Sequence, residues 1–516
     1  MKDFLVMENI TKVYDNGIMA NDNICFSAEK GEIHAICGEN GAGKSTLMKL
    51  LFGVEQPNQG RIIIRGQEAK LTSPLKAIEM GIGMVYQHFV LVPSLTIAEN
   101  VMLGIEPKKG IRFDRDKAVE LTRAICEKYN FDIDPLAKIE DISVGVKQKV
   151  EIVKALIRGA EILILDEPTA VLTPQETKEL FEQLKILKEA GHTIIFISHK
   201  LNEVKYLCDR VTIIRHGRTM GTHNVADVSE ADISRLMVGT DVELTISKDD
   251  PKPKDAVLRV KNLVTYNEIG KKTLNGVSFT VREGEIMGIA GVEGNGQRAL
   301  INMITGFGEG GSGEVSINGK DIRSLSIKQL RQEGLVHVPE DRNAMGVAKN
   351  MSIRENLMAD KINLPKYNKR FTLNDETIEA DTNQWIEDFD VLCKDGEQQV
   401  GMLSGGNVQK VVVARELTSY TKLIVCDQPT RGIDVGATES IRKRLVQMRD
   451  QDNAVLLVSA DLGEVMNLSD RLIVMYGGEI VAYFPDVADI TEEDLGFYML
   501  GIKRMTAEEI GGAYVE

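Results

Sequence analysis

Two α/β domains of one fold, joined in tandem, are predicted by three features. A glycine-rich phosphate loop lies between a strand and a helix, its frame recurs 253 positions later, and apolar runs alternate with helical periods in both halves. The loop is GENGAGKST at Gly38–Thr46, which fits Gly, four residues, Gly-Lys-Ser/Thr. Before it, the apolar run Glu32–Cys37 reads as a buried strand. After it, Thr46–Phe52 with Gly53 reads as a short helix stopped by glycine. Glycines let the backbone from Gly38 through Glu39, Asn40, Gly41, Ala42 and Gly43 wrap closely around a polyphosphate. The helix N-terminus at Thr46 aims N–H groups at it, Lys44 supplies a cation, and Ser45 supplies a hydroxyl for magnesium.

At 516 residues the chain exceeds one hydrophobic core. Its 43% hydrophobic and 27% charged residues are ordinary for a globular protein. No apolar run approaches the roughly twenty residues of a membrane-spanning helix, and MKDFLVMENI is no signal peptide, so a cytosolic chain is expected. Six scattered cysteines lack any C-x-x-C pair, which argues against zinc or a disulfide framework and for small core residues. A net charge of −15 without a basic block argues against nucleic acid as the main partner.

The internal repeat sets the domain limits. GEIHAICGENGAGKST at Gly31–Thr46 aligns with GEIMGIAGVEGNGQRA at Gly284–Ala299, which places Gly291, Gly294 and Gly296 opposite Gly38, Gly41 and Gly43. ILILDEPTA at Ile162–Ala170 meets LIVCDQPTR at Leu423–Arg431, and Ile194–Val204 meets Val455–Val465, both at a shift of 261. The domains are therefore 1–246 and 256–516, with Ser247–Asp255 (SKDDPKPKD) as an extended linker. Each is expected to carry a largely parallel sheet and a helical subdomain, in which Arg115–Tyr129 and Asp375–Asp388 are amphipathic.

In the first copy the run Ile162–Asp166 delivers two carboxylates at the end of a buried strand. Asp166 is the candidate magnesium holder, and Glu167 the base that polarises attacking water. The strand Ile194–Ser198 ends at His199, a candidate contact for the terminal phosphate or a structural histidine. Gln87, after Gly81–Val85, either reaches magnesium and water or is a solvated loop residue. Tyr14 either stacks on a base or simply packs.

In this order, phosphate loop, Gln87, a Ser-x-Gly stretch, Asp166-Glu167 and His199 resemble the nucleotide-binding domain of ABC transporters, twice over nearly the whole chain. The resemblance implies ATP and Mg2+ as cofactors. It also implies signature motifs, each opening a helix and binding the γ-phosphate of ATP held by the opposite domain. These are LSGGN at Leu403–Asn407, with Ser404, Gly405 and Gly406, and ISVGV at Ile142–Val146, with Ser143 and Gly145. Scored as head-to-tail sites, one is complete: Lys44, Ser45, Gln87, Asp166, Glu167 and His199, with Ser404, Gly405 and Gly406 and, facing them, Asp434. The other keeps Asp427 but has Gln297 for the lysine, Arg298 for the serine, Glu340 for the loop glutamine, Gln428 for the glutamate and Ala460 for the histidine. Val144 and Val146 interrupt its signature, and Thr173 stands where Asp434 has its place. One hydrolysis per closure is the implied output, because a neutral amide at 428 takes no proton.

With no membrane segment, the family likeness implies two integral membrane permease subunits docking at Val85–Pro93 and Val338–Arg342, and indirectly an external or lipid-anchored solute-binding protein. The place of action would be the cytoplasmic face of the membrane. The degenerate second loop, VPEDR and LSGGN resemble bacterial monosaccharide and nucleoside importers, and Met84–Gly104 is more similar to the nucleoside type than to the ribose or galactose type. The alternative class, soluble twin-cassette ATPases of ribosomes or DNA, keeps two complete sites with a long charged linker, or carries zinc-binding cysteine pairs. Neither pattern is present.

Overall fold

The computed structural model describes residues 3–14, 17, 19–39, 41–86, 89–170, 172–198, 200–239, 246–267, 270–308, 310–433, 435–488 and 490–514. The chain divides into two compact units, Met1–Val242 and Glu243–Glu516. In the first, a six-stranded sheet runs Arg218–Asn224, Arg210–Arg215, Ile33–Cys37, Thr193–Ile197, Ile162–Asp166, Ile82–Val85 from edge to edge. All pairings are parallel except the antiparallel edge strand Arg218–Asn224. Every residue of Ile33–Cys37 and Thr193–Ile197 is buried, so both faces are covered and the strands read as unbroken apolar runs.

Repeat arithmetic did not disclose a second, antiparallel sheet, ordered Met19–Glu29, Asp3–Val13, Gln59–Ile64, Gln67–Glu68. Met19–Glu29 carries polar residues on its open face and interrupts its burial alternation, so it lacks the continuous signal of the parallel strands. Between the two sheets lies the helix Lys44–Leu51. One apolar cluster joins Leu5, Ile24 and Phe26, the helix residues Leu47, Leu50 and Leu51, and Ile36, Ile164 and Ile195. Each such leucine contributes roughly 1.5–3 kcal/mol on burial, which pins the loop that the helix opens.

The second unit repeats this plan. Its six strands run Leu335–Val338, Leu423–Asp427, Ala454–Val458, Glu285–Ala290, Arg471–Tyr476, Glu479–Phe484, beside an antiparallel sheet built on Lys272–Arg282, Ala256–Tyr266 and Ser312–Ile317. The helix Gln297–Thr305 contributes Leu300, Ile301 and Ile304 to the shared core.

The expected helical subdomains are present in both units. Helices Ile97–Met102, Arg115–Lys128 and Val144–Ile157 pack together in the first, and Ile353–Met358, Asp375–Asp388 and Gly405–Leu417 in the second. Both open on a reciprocal cap. The Glu99 carboxylate accepts the Thr96 N–H at 2.8 Å, and Glu355 accepts that of Ser352 at 2.8 Å. Thr96→Ala is expected to lower unfolding free energy by about 1 kcal/mol, as measured by urea denaturation.

The segment Ser247–Asp255, expected to be an extended linker, has no helix or strand before Ala256, and it is fastened to the second unit. Lys248 Nζ donates to Leu468 O at 2.8 Å and Ser469 O at 2.7 Å and pairs with Asp470 at 2.9 Å. Arg449, 1% exposed, donates to Asp249 O at 2.9 Å and pairs with Asp470. Buried charges need such pairing, and here it binds the chain from Lys248 onward to the second core. All six cysteines are free, and Cys37, Cys126, Cys208 and Cys426 are buried, as small core residues should be. Among the described residues no helix is long and apolar enough to cross a membrane.

Candidate nucleotide sites

The first phosphate loop leaves the strand at Cys37 and turns so tightly that only glycine fits at its corners. Gly41 and Gly43 have φ of 83° and 102°, and a Cβ on Gly43 would strike the Ala20 carbonyl. The Asn21 amide donates to Gly43 O at 3.1 Å, and Ala42 N–H to Glu39 O at 3.1 Å. Gly43 is the N-cap residue, so the helix starts at Lys44, two residues earlier than the sequence suggested. Lys44 and Ser45 thus share its first turn, with Ser45 exposed.

Lys44 is only 6% exposed and curls back over the loop, donating to Gly38 O at 2.6 Å and Glu39 O at 2.9 Å. Burial draws its pKa down, against the charges of Glu167, Cys37 and Asp166. A desolvated ammonium among backbone carbonyls is suited to a polyanion. Asp166, at the end of its strand, is pushed up to about 6 by burial and then by the Glu167 charge, with Lys44 and Lys49 opposing. The Asp166 carboxylate and the Ser45 hydroxyl are hard oxygen donors of the kind that suits Mg2+ completed by phosphate and water. Among the described residues there is no cluster of three or more His, Cys, Asp or Glu that could hold a metal ion by itself.

Glu167 sits at φ 47°, rare for a residue with a side chain, with its N–H donated to Ile197 O at 3.0 Å. Gln428 in the second copy has φ 52°, with its N–H on Val458 O at 2.8 Å. Both copies therefore keep the strained backbone that aims this side chain, and differ only in what it carries. Tyr14 is half-buried with its hydroxyl 3.3 Å from Thr46 Oγ1 and Lys12 Nζ 5.3 Å from its ring centroid, at the rim of the loop. Asn40, Gln87, His199 and Asp434 lie outside the described residues.

Sequence reasoning missed the residues that hold these groups in place. Asn21 is one. Glu203, 6% exposed, is another: it accepts from Thr169 Oγ1 at 2.7 Å and Ser198 Oγ at 3.2 Å, tying the Asp166 loop to the strand before position 199. Its repeat partner Glu464 is fully buried, its pKa raised by burial and held back by Arg442. A glutamate kept in both copies at the shift of 261 was the available signal.

The second loop has the same shape with other chemistry. Gly294 and Gly296 have φ of 94° and 105°, Gly291 is buried, and the helix starts at Gln297. The Gln297 amide donates to Val292 O at 3.1 Å, the carbonyl matching Glu39, and so fills the lysine's place without its charge. Arg298 is exposed at the serine position. Arg431 pairs with Glu340 and approaches Glu293 Oε2 at 3.9 Å, so ion pairs within the protein cross this site. Asp427 is pushed up to about 7 by burial and then by Glu340, against Arg298 and Arg431. The Gln428 Oε1 accepts Ala460 N–H at 2.9 Å, which ties up the amide.

Both signatures open helices as expected. Ser404 caps Gly405–Leu417, accepting from Asn407 N–H at 3.4 Å and Asn407 Nδ2 at 2.9 Å, with Gly406 buried behind it. Ser143 caps Val144–Ile157, accepting from Val146 N–H at 3.3 Å, and Gly145 lies in its first turn.

The sequence profile of the family described as ABC transporter matches residues 21–170 and 274–431, more than half of the chain. The guanosine import ATP-binding protein NupO of Bacillus subtilis (strain 168) is 43% identical over 512 residues, spanning 99% of this chain and 100% of that protein. The nucleoside import ATP-binding protein NupA of Lactococcus lactis subsp. cremoris (strain MG1363) is 42% identical, over 96% of this chain and 97% of that protein. The glucose import ATP-binding protein TsgD13 of Haloferax volcanii is 42% identical, over 96% of each. With two phosphate loops on duplicated strand, loop and helix frames, and both profile matches falling on them, this chain belongs to the ABC transporter family, as an ATPase subunit with two fused cassettes.

Proposed function

We propose that this chain is the energy-coupling subunit of a nucleoside importer and hydrolyses ATP at one composite site, formed by the first cassette's phosphate loop and carboxylates with the second cassette's signature. The segregation of losses carries this reading. Substitutions at 297, 298, 340, 428, 460 and 144 all fall on one pairing, and the matching positions 44, 45, 87, 167, 199 and 405 of the other keep the family residue. Independent decay would not sort by composite site. At the complete site Lys44 offsets phosphate charge, and Ser45 and Asp166, with Gln87, would hold a Mg2+ ion, which would supply positive charge against the phosphoryl oxygens. Glu167 orients water and takes its proton, and Ser404, Gly405 and Gly406 present a hydroxyl and N–H groups to the γ-phosphate. At the other site the Gln428 amide accepts no proton, and nucleotide there is held without being cleaved.

Closure of the cassettes is a mechanical output, received by two membrane permease subunits at the cytoplasmic face of the membrane. A solute-binding protein delivers the solute from outside. Nucleosides are favoured by Met84–Gly104 and by the two nucleoside-importing relatives; the glucose-importing relative supports a sugar as the second reading. The test is the reconstituted complex with its binding protein. Guanosine and related nucleosides are expected to raise ATP hydrolysis severalfold while ribose and glucose do not, and stimulation by sugars alone would overturn the assignment. Recovery of the chain with ribosomes in place of membrane subunits would reject the importer role altogether.

A further inference from the structure

The two signature helices differ in what stands against their first turn. In the first unit Glu176, three residues into the helix Pro174–Glu189, turns its carboxylate onto the signature. Its Oε1 accepts the Gly145 N–H at 3.2 Å and the Ser143 hydroxyl at 3.4 Å. Its Oε2 accepts the N–H and hydroxyl of Thr173 at 3.1 and 3.2 Å. One carboxylate thus caps two helices, and a Cβ on Gly145 would overlap it. The groups it engages on the signature are the serine hydroxyl and a glycine N–H, the donor types a phosphate would use.

In the second unit the repeat position of Glu176 is Ala437, which has no carboxylate to offer. A cation stands beside that signature instead. Arg342 donates to Arg431 O at 2.8 Å and Gly432 O at 3.0 Å, and its Nη2 lies 2.7 Å from where a Cβ on Gly405 would be. One signature faces an anion and the other a guanidinium, the polarity expected if only the second receives phosphate.

We infer that Glu176 is a built-in counter-anion that closes the first signature to phosphate and leaves the degenerate site blind to whether its nucleotide carries a γ-phosphate. This rests on the composite pairing proposed above. Nucleotide in that site is gripped by the loop Gly291–Gly296 alone, so ATP and its product are held alike. Val144 is the competing explanation, since its side chain stands where the second signature has glycine.

The test isolates the degenerate site in the full chain with Lys44→Ala and removes the competing side chain with Val144→Gly. Affinities for ATP and ADP are then measured by calorimetry with Glu176 present and with Glu176→Ala. With Glu176 in place the two nucleotides are expected to bind within about threefold of each other. With Glu176→Ala, ATP is expected to bind about tenfold more tightly than ADP, the scale of one charge-assisted hydrogen bond regained. A tenfold ATP preference with Glu176 present, no preference after its removal, or no nucleotide bound in either chain would each overturn the inference. Glu176→Gln keeps the reciprocal helix cap without the charge, and is expected to raise the ATP preference in the same direction if the alanine chain misfolds. Failure of the composite pairing reads out separately, as ATP hydrolysis that survives Ser404→Glu.

Discussion

Replacing Glu167 by glutamine is expected to lower steady-state ATP hydrolysis of the assembled importer by roughly two to three decades, while Gln428→Glu leaves the rate within about twofold. In the proposed mechanism Asp166 would hold magnesium, and the first change removes the neighbouring carboxylate that takes the proton from water. That loss is worth about 2–4 kcal/mol in the transition state. It is close to isosteric, and the φ of 47° at position 167 matches the 52° at which the second copy already carries glutamine, so the backbone accepts the amide. The reverse change restores a carboxylate at 428 but meets Gln297 in place of lysine, and an ion pair between Arg431 and Glu340 across the site. A residual rate near wild type in Glu167→Gln, in protein that still binds ATP, would place hydrolysis elsewhere.

The phosphate loops, both carboxylate-bearing strands and the amphipathic helices Arg115–Lys128 and Asp375–Asp388 were legible because each depends on local spacing: glycines where φ turns positive, apolar runs where both sheet faces are covered, a helical period where one face is buried. The antiparallel sheets were not, since their strands are half-solvated and register shifts break the alternation that would mark them. The helix start at Lys44 rather than Thr46 was missed because Gly43 is the N-cap residue and closes the loop directly onto the helix. Contacts made through folding left no linear trace. Asn21 supports Gly43 from across the antiparallel sheet, Glu203 reaches Thr169, and Glu176 reaches Gly145 across 31 residues. The linker at Ser247–Asp255 has a composition typical of free chain, yet Lys248 and the backbone of Asp249 are held by Asp470 and Arg449, residues some 200 positions away.

The composite reading stands or falls on the second large effect. Ser404→Glu is expected to reduce ATP hydrolysis at the Lys44 site by at least about a hundredfold, although residue 404 lies more than 350 positions from that loop. In the proposed pairing the new carboxylate faces the γ-phosphate, and two unit charges about 4 Å apart repel by about 4 kcal/mol at an effective dielectric constant near 20. Ser404 is exposed and serves its own fold as the cap of Gly405–Leu417. Losing that cap costs about 1 kcal/mol, which thermal unfolding separates from the effect on turnover. The matched change Ser143→Glu adds charge to a signature that Glu176 already occupies, so hydrolysis is expected to stay near wild type. Equal losses from the two substitutions would mean that each cassette works with its own signature. The segregation of substitutions between the copies would then need another cause, because nothing within a single cassette links Val144 to the loss of lysine at 297.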